Sequence, residues 1–355
     1  MSASDPLASA LAWYARHREM SARGFLVALL PTLILLLWVD PVTIIHSRLK
    51  GDVYPPDAAY VGLHIVRDYS DSAPDILILG GSSTRELVPD RQIANAWFRT
   101  RCDHDIQLFN AATSSQEPAD SRAIADALGE APRVVVIGLS YRRLMRTREE
   151  DVYSPHSQTV ALPSSMKVSI ASLTRGDMRA GLFDFFAQVQ RAEWSIAALR
   201  AEMGKSPRPL KKRDHHDRDV SPATPIPSST KRYMADQMFV LAGDDMPRTS
   251  REMTEYWLRF AREMSRRGAA PLFVMTPYSP EAESLEREYA GSVGPALARL
   301  AEEYPVLDLR SRVRLQAADF ADPTHLSDAG RIKAWPMLAE AIGETYGCPA
   351  FAAGA

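Results

Sequence analysis

Two short runs in this sequence hold residue types that can move an acyl group. The first is Gly80-Gly81-Ser82-Ser83-Thr84, which closes the apolar stretch Asp75-Ile76-Leu77-Ile78-Leu79. Paired glycines let a chain turn sharply after a strand and present the next side chain at the sheet edge. A serine there can act as nucleophile, and its own amide can face a developing oxyanion. A glycine turn feeding a helix N-cap uses the same residues, because serine is common there. The second run is Asp322-Pro323-Thr324-His325-Leu326-Ser327. A serine hydroxyl is a weak nucleophile until a base takes its proton, and histidine is the usual base near neutral pH. The imidazole needs a carboxylate on its other nitrogen. An aspartate three residues upstream in a tight turn reaches that nitrogen, and Pro323 stiffens the loop. Alone, the run also reads as an Asp-Pro turn before a helix with an exposed histidine. Together the two runs point to a triad of Ser82, His325 and Asp322, with Ser83 the rival nucleophile.

Such a triad needs a frame that brings residues about 240 positions apart to one edge. The run 75–79 is short and continuously apolar, the pattern of a strand buried on both faces. Further strands are expected at 105–109, 133–138, 271–275 and 306–309. Helices are expected at 88–100, 118–129, 250–267, 282–304 with a break near Gly294-Pro295, and 327–346, with Ser327 as N-cap. Strands alternating with helices predict an α/β fold around an open five-stranded parallel sheet covered on both faces. Ligands of such sheets bind at the carboxyl ends of the strands. Both catalytic runs fall there. Tyr141, Arg142 and Arg143, at the end of the third strand, are expected to line the cleft.

The rhythm stops over residues 150–249. Residues 168–203 read as helical, anchored by Phe183, Phe185, Phe186, Val189 and Trp194. Residues 204–231 are polar and proline-rich, and are expected to form a mobile loop. The run Asp214-His215-His216-Asp217-Arg218-Asp219 lacks strong ligand spacing and reads as a solvated charge run. No metal site and no cofactor fingerprint is found.

The formal net charge of -2 argues against nucleic acid as a partner, since phosphates need a basic footprint. The two cysteines, Cys102 and Cys348, have no metal-binding spacing. A disulfide between them is open to the chain in an oxidising compartment; two unpaired thiols is the simpler expectation. Residues 24–45 are apolar apart from Asp40 and follow Arg16, Arg18 and Arg23. That pattern predicts an uncleaved anchor in the lipid bilayer, with the N-terminus cytoplasmic and the rest exported.

With these motifs stated, the chain resembles the SGNH (GDSL-type) hydrolases. ILILGGSST resembles the family's first block, and PTHLSDAG with Asp322 its last. The resemblance covers residues 74–346 and implies a three-layer, flavodoxin-like α/β sandwich. It assigns Ser82 as nucleophile, His325 as base and Asp322 as its partner. The candidate oxyanion and substrate-binding residues are Gly81, Asn110, Ala112, Ser140 and Arg85. Ala112 stands where the family's second block has glycine. Gly138-Leu139-Ser140-Tyr141 lacks the third block's asparagine, and Ser140 is the substitute. Arg85 holds an anionic substrate, pairs with Glu86 or caps a helix.

The anchor and the missing asparagine make the chain similar to a membrane-anchored subgroup. Its members include alginate O-acetylation proteins and the D-alanylation protein of teichoic acids. That resemblance implies acyl transfer on an envelope polysaccharide, with a membrane-bound O-acyltransferase as partner. It also implies a single-pass protein of the bacterial inner membrane with a periplasmic catalytic domain. A plain esterase and a non-catalytic scaffold of an export complex are the alternatives.

Overall fold

The computed structural model describes residues 61, 65, 68–69, 71–89, 91–102, 105–113, 116, 118–145, 225–242, 246–289 and 291–348. The expected anchor at 24–45, the helical stretch at 168–203 and the charge run at 214–219 lie outside them. Among the described residues, no helix is long and apolar enough to cross a membrane.

Five strands form one sheet: β1 (Ile76–Leu79), β2 (Leu108–Asn110), β3 (Val134–Leu139), β4 (Ala270–Met275) and β5 (Val306–Asp308). All neighbours run parallel, in the order β2-β1-β3-β4-β5. After β1 the chain goes first to one side and then crosses to the other. The switch point therefore lies between β1 and β3, where open parallel sheets leave a crevice at their carboxyl ends.

The strand residues explain the sheet's burial. Ile76, Ile78, Val134, Val136, Leu272 and Val274 face one core, and Leu77, Leu79, Val135, Ile137, Phe273 and Met275 face the other. Strands buried on both faces need apolar residues at every position, which is what these runs supply.

Helices cover both faces. The short α1 (Ser82–Arg85) follows β1, and α2 (Arg91–Cys102) leads to β2. Next come α3 (Pro118–Ala127), α4 (Tyr141–Leu144), α5 (Ser228–Ala242) and α6 (Met246–Arg266). The last four are α7 (Pro280–Tyr289), α8 (Val293–Ala301), α9 (Leu309–Arg312) and α10 (Asp328–Tyr346). Phe98 of α2 joins Leu338 and Ile342 of α10 on one face; Ile124 of α3, Trp257 of α6 and Leu300 of α8 pack on the other. Ser327 caps α10 and accepts the Gly330 amide.

Three expectations need correction. The two cysteines are not free: Cys102 and Cys348 form a disulfide across 246 residues of sequence. The cause is packing between α2 and α10, where Trp97 and Phe98 meet Trp335 edge-on. Gly347, in the left-handed region at φ 91°, then turns the chain so that Cys348 comes back towards α2.

The expected loop to residue 231 ends earlier, because α5 begins at Ser228. Its inward face is Lys231, Ala235 and Phe239, spaced four apart and all buried. Polar composition hides that face. The break expected near Gly294-Pro295 falls instead between Tyr289, which ends α7, and Val293, which begins α8. Gly291 adopts φ 54° there and ends α7, while Pro295 sits in the first turn of α8, where its missing N–H costs nothing.

Candidate active site

The chain leaves β1 through Gly80 and Gly81 and enters α1 at Ser82. The Gly81 carbonyl accepts the amides of both Thr84 and Arg85 at 3.0 Å, which tightens the turn. Thr84 points inward and is 1% exposed. It explains two glycines at once: a Cβ on Gly80 or on Gly138 of β3 would overlap its side chain. The motif is therefore a three-part fit, with one threonine held between the ends of two adjacent strands. Space beyond Gly81 is open.

A buried polar network fixes this turn from below. The Gly80 amide donates to Gln116 Oε1 at 2.9 Å, and Gln116 Nε2 donates to the Ala111 carbonyl at 2.7 Å. Arg143 in turn donates to the Gln116 carbonyl and to Ser121 Oγ, each at 2.7 Å. The ends of β1, β2 and β3 are thereby joined through side chains.

The second run forms a closed loop. Phe320 and Leu326 pair in an antiparallel bridge, and the Ala321 amide donates to the His325 carbonyl at 2.8 Å. Inside the loop, Asp322 Oδ1 accepts the amides of Thr324 and His325, both at 2.9 Å. That leaves Oδ2 for the ring, and His325 Nδ1 lies 2.6 Å from it. The loop is also tied to the segment after β4, where the Ser279 amide donates to the Pro323 carbonyl at 2.8 Å.

The two runs meet. Ser82 Oγ lies 2.7 Å from His325 Nε2. The carboxylate at Nδ1 accepts a proton-bearing nitrogen, so Nε2 is the acceptor facing the hydroxyl. Ser83 is turned into the protein, 8% exposed, and Ser82 is the serine that reaches the imidazole.

The electrostatics follow the same geometry. Burial opposes charge on His325, but the hydrogen bond to Asp322 and the negative charges of Glu86 and Asp322 outweigh it and raise its pKa. Burial pushes the Asp322 carboxyl up; its hydrogen bond from His325, the imidazole's charge and the two loop amides bring it below its ordinary value. Glu86 is raised, chiefly by burial. Arg85 pairs with Glu86 at 3.4 Å, the structural alternative expected for it.

A histidine that serves as base must be neutral imidazole, so with His325 in that role the rate would rise with pH through its pKa. The acid limb of kcat/KM is expected to centre above the ordinary histidine value of about 6.5. Glu86→Gln removes a negative charge that favours the imidazolium, and is expected to move that limb down. A limb centred below about 6.5, or one moved upward by Glu86→Gln, contradicts this account.

The expected oxyanion residues divide. The Ser82 amide opens α1 and has no hydrogen-bond acceptor among the described residues. Ser140 occupies the N-cap position of α4 at the end of the neighbouring strand, half-buried, and makes no capping bond with its side chain. Ala112 and Asn110 have other partners: the Ala112 amide donates to Asn110 Oδ1 at 3.2 Å, and Asn110 Nδ2 donates to the Arg85 carbonyl at 3.1 Å. Asn110 is 8% exposed, so its polar atoms are bound within the protein, where they brace the turn after Ser82.

Tyr141 and Arg143 do not line the cleft as expected. Tyr141 Oη reaches Met246 Sδ, and the Arg143 guanidinium lies 4.7 Å from the centre of the Trp257 ring. Gln116 and Lys231, which hold the two halves of the site, carry no local motif and could not be found by spacing. Among the described residues, no group of three or more His, Cys, Asp or Glu side chains is placed to hold a metal.

No family model matches the chain, and no curated protein matches it.

Proposed function

We propose that this protein is a serine-dependent acyl-transfer enzyme of the SGNH type. The observation that carries the reading is the continuous chain Ser82 Oγ to His325 Nε2 at 2.7 Å and His325 Nδ1 to Asp322 Oδ2 at 2.6 Å. The strand order β2-β1-β3-β4-β5 supports the flavodoxin-like sandwich implied for that family.

In the first half-reaction Ser82 Oγ attacks an ester carbonyl while its proton passes to His325 Nε2. Asp322 stabilises the imidazolium. The oxyanion is met by the Ser82 amide, with Ser140 as second donor. Collapse breaks the ester C–O bond, and the leaving alkoxide takes the proton from His325. An acyl-Ser82 remains. In the second half His325 takes a proton from a sugar hydroxyl as its oxygen attacks the acyl carbon; the bond from the acyl carbon to Ser82 Oγ then breaks, and His325 returns the proton to Ser82 Oγ.

The substrate class we infer is an O-acyl, chiefly acetyl, group on an envelope polysaccharide, worked on outside the cytoplasm. Two features support export. Residues 24–45 have the composition of an anchor, and the Cys102–Cys348 disulfide suits an oxidising compartment. A membrane-bound O-acyltransferase is the partner that this role calls for.

An isotope-labelled acetyl ester, incubated with the purified full-length chain and polysaccharide, tests the reading. The expected result is label in the polymer, lost with Ser82→Ala. Label found only as free acetate would make the protein an esterase. Full cellular function with both Ser82→Ala and His325→Ala would make it a scaffold.

A further inference from the structure

We propose that Lys231 is a positioning residue of the acid–base loop, a role that rests on the acyl-transfer reading above. Lys231 lies on the inward face of α5, and is 1% exposed. Its ammonium group donates to two backbone carbonyls, Ala317 at 2.5 Å and Phe320 at 2.7 Å. Ala317 opens the 3-10 turn Ala317–Asp319. Phe320 forms the bridge with Leu326 that closes the loop holding Asp322 and His325. A third bond runs alongside, from the Ile226 amide to the Ala321 carbonyl at 3.0 Å. Residues 226–231 thus supply donors to three carbonyls just upstream of Asp322.

The chemistry of this contact separates it from ordinary helix packing. An apolar side chain would fill the same space without taking a charge out of water, and burying an ammonium group is costly unless it is fully hydrogen-bonded. Both bonds are charge-assisted, hence short and directional. They act on main-chain atoms, so they fix the path of the loop itself. The contacts that orient the ring, Asp322 to His325 and to the loop amides, are internal to the loop. The bond from His325 Nε2 to Ser82 Oγ is not, and depends on where the loop sits against β1. Losing Lys231 should therefore leave the Asp322–His325 pair intact and spoil its reach to Ser82.

The test is Lys231→Met in the full-length chain, read by the labelling rate of Ser82 with a fluorophosphonate probe. Alone it should slow labelling about 10²-fold, the cost of misplacing a catalytic group by roughly 1 Å. The midpoint of the rate against pH should not move, because Asp322 still holds the ring. Combined with His325→Ala, it should add no further loss, since Lys231 acts only through the base. A purely structural role predicts the opposite: losses that multiply in the double variant. That result, or a folded Lys231→Met labelled at the wild-type rate, overturns the proposal. If the methionine variant fails to fold by circular dichroism, Lys231→Gln, which keeps a donor, is judged by the same double-variant comparison. Absence of labelling in the wild-type chain would overturn the acyl-transfer reading itself. Wild-type labelling with an unaffected Lys231 variant would overturn only the positioning role.

Discussion

Ser82→Ala is expected to lower kcat/KM for an acyl ester by roughly 10⁶-fold, leaving only what binding and the oxyanion donors supply. The size follows from the geometry. Ser82 Oγ is the atom in contact with His325 Nε2, so its removal takes away both the nucleophile and the proton the base would accept. The fold should survive, because Ser82 is partly exposed and the turn is held by main-chain bonds to the Gly81 carbonyl. Ser83→Ala is the control. Its side chain is buried, and its loss should leave kcat/KM within about tenfold, well short of the effect of losing a nucleophile. Steady-state kinetics on the two variants decides between the serines. A Ser83→Ala variant that is inactive while folded would reverse the assignment.

Asp322→Asn should cost about 10⁴-fold in kcat/KM without unfolding the loop. The carboxamide oxygen can keep the place of Oδ1, where it still accepts the Thr324 and His325 amides. Its amino group then faces His325 Nδ1, where the carboxylate Oδ2 stood at 2.6 Å. Two donors cannot share that bond. The ring responds by carrying its proton on Nε2, the nitrogen that must receive the proton of Ser82. The base is present but in the wrong tautomer. Kinetics beside a thermal unfolding curve checks this: activity should fall while the melting temperature stays close to the wild-type value. A variant within about tenfold of wild type would mean that Asp322 does not hold the ring during the reaction.

Much of this site was legible because its chemistry is local. Asp322 and His325 are three residues apart, and the aspartate that orients the ring also builds the turn. The strands were legible because a strand buried on both faces must be apolar throughout, as β1 and β3 are. The order of the sheet then brings the two runs to one edge.

What sequence could not supply is long-range. The Cys102–Cys348 pair depends on how α2 lies against α10. Gln116 and Lys231 act on carbonyls and amides of distant segments, and backbone partners leave no trace in residue types. Asn110 and Ala112 are substrate-facing candidates through the resemblance of their block, and residue types do not show that the Ala112 amide donates to the Asn110 side chain. Tyr141 and Arg143 follow β3 and would face the cleft if α4 were open to solvent. Instead α6 packs over it, and Trp257 Nε1 donates to the Arg143 carbonyl.

The central claim is that Ser82 is a nucleophile activated by His325. Peptide mapping by mass spectrometry after fluorophosphonate treatment of the full-length chain tests it most directly. The account predicts a single adduct, on Ser82, formed at a rate that climbs with pH and collapses in His325→Ala. An unlabelled chain, an adduct on Ser83, or labelling of Ser82 at the same rate without His325 would contradict it.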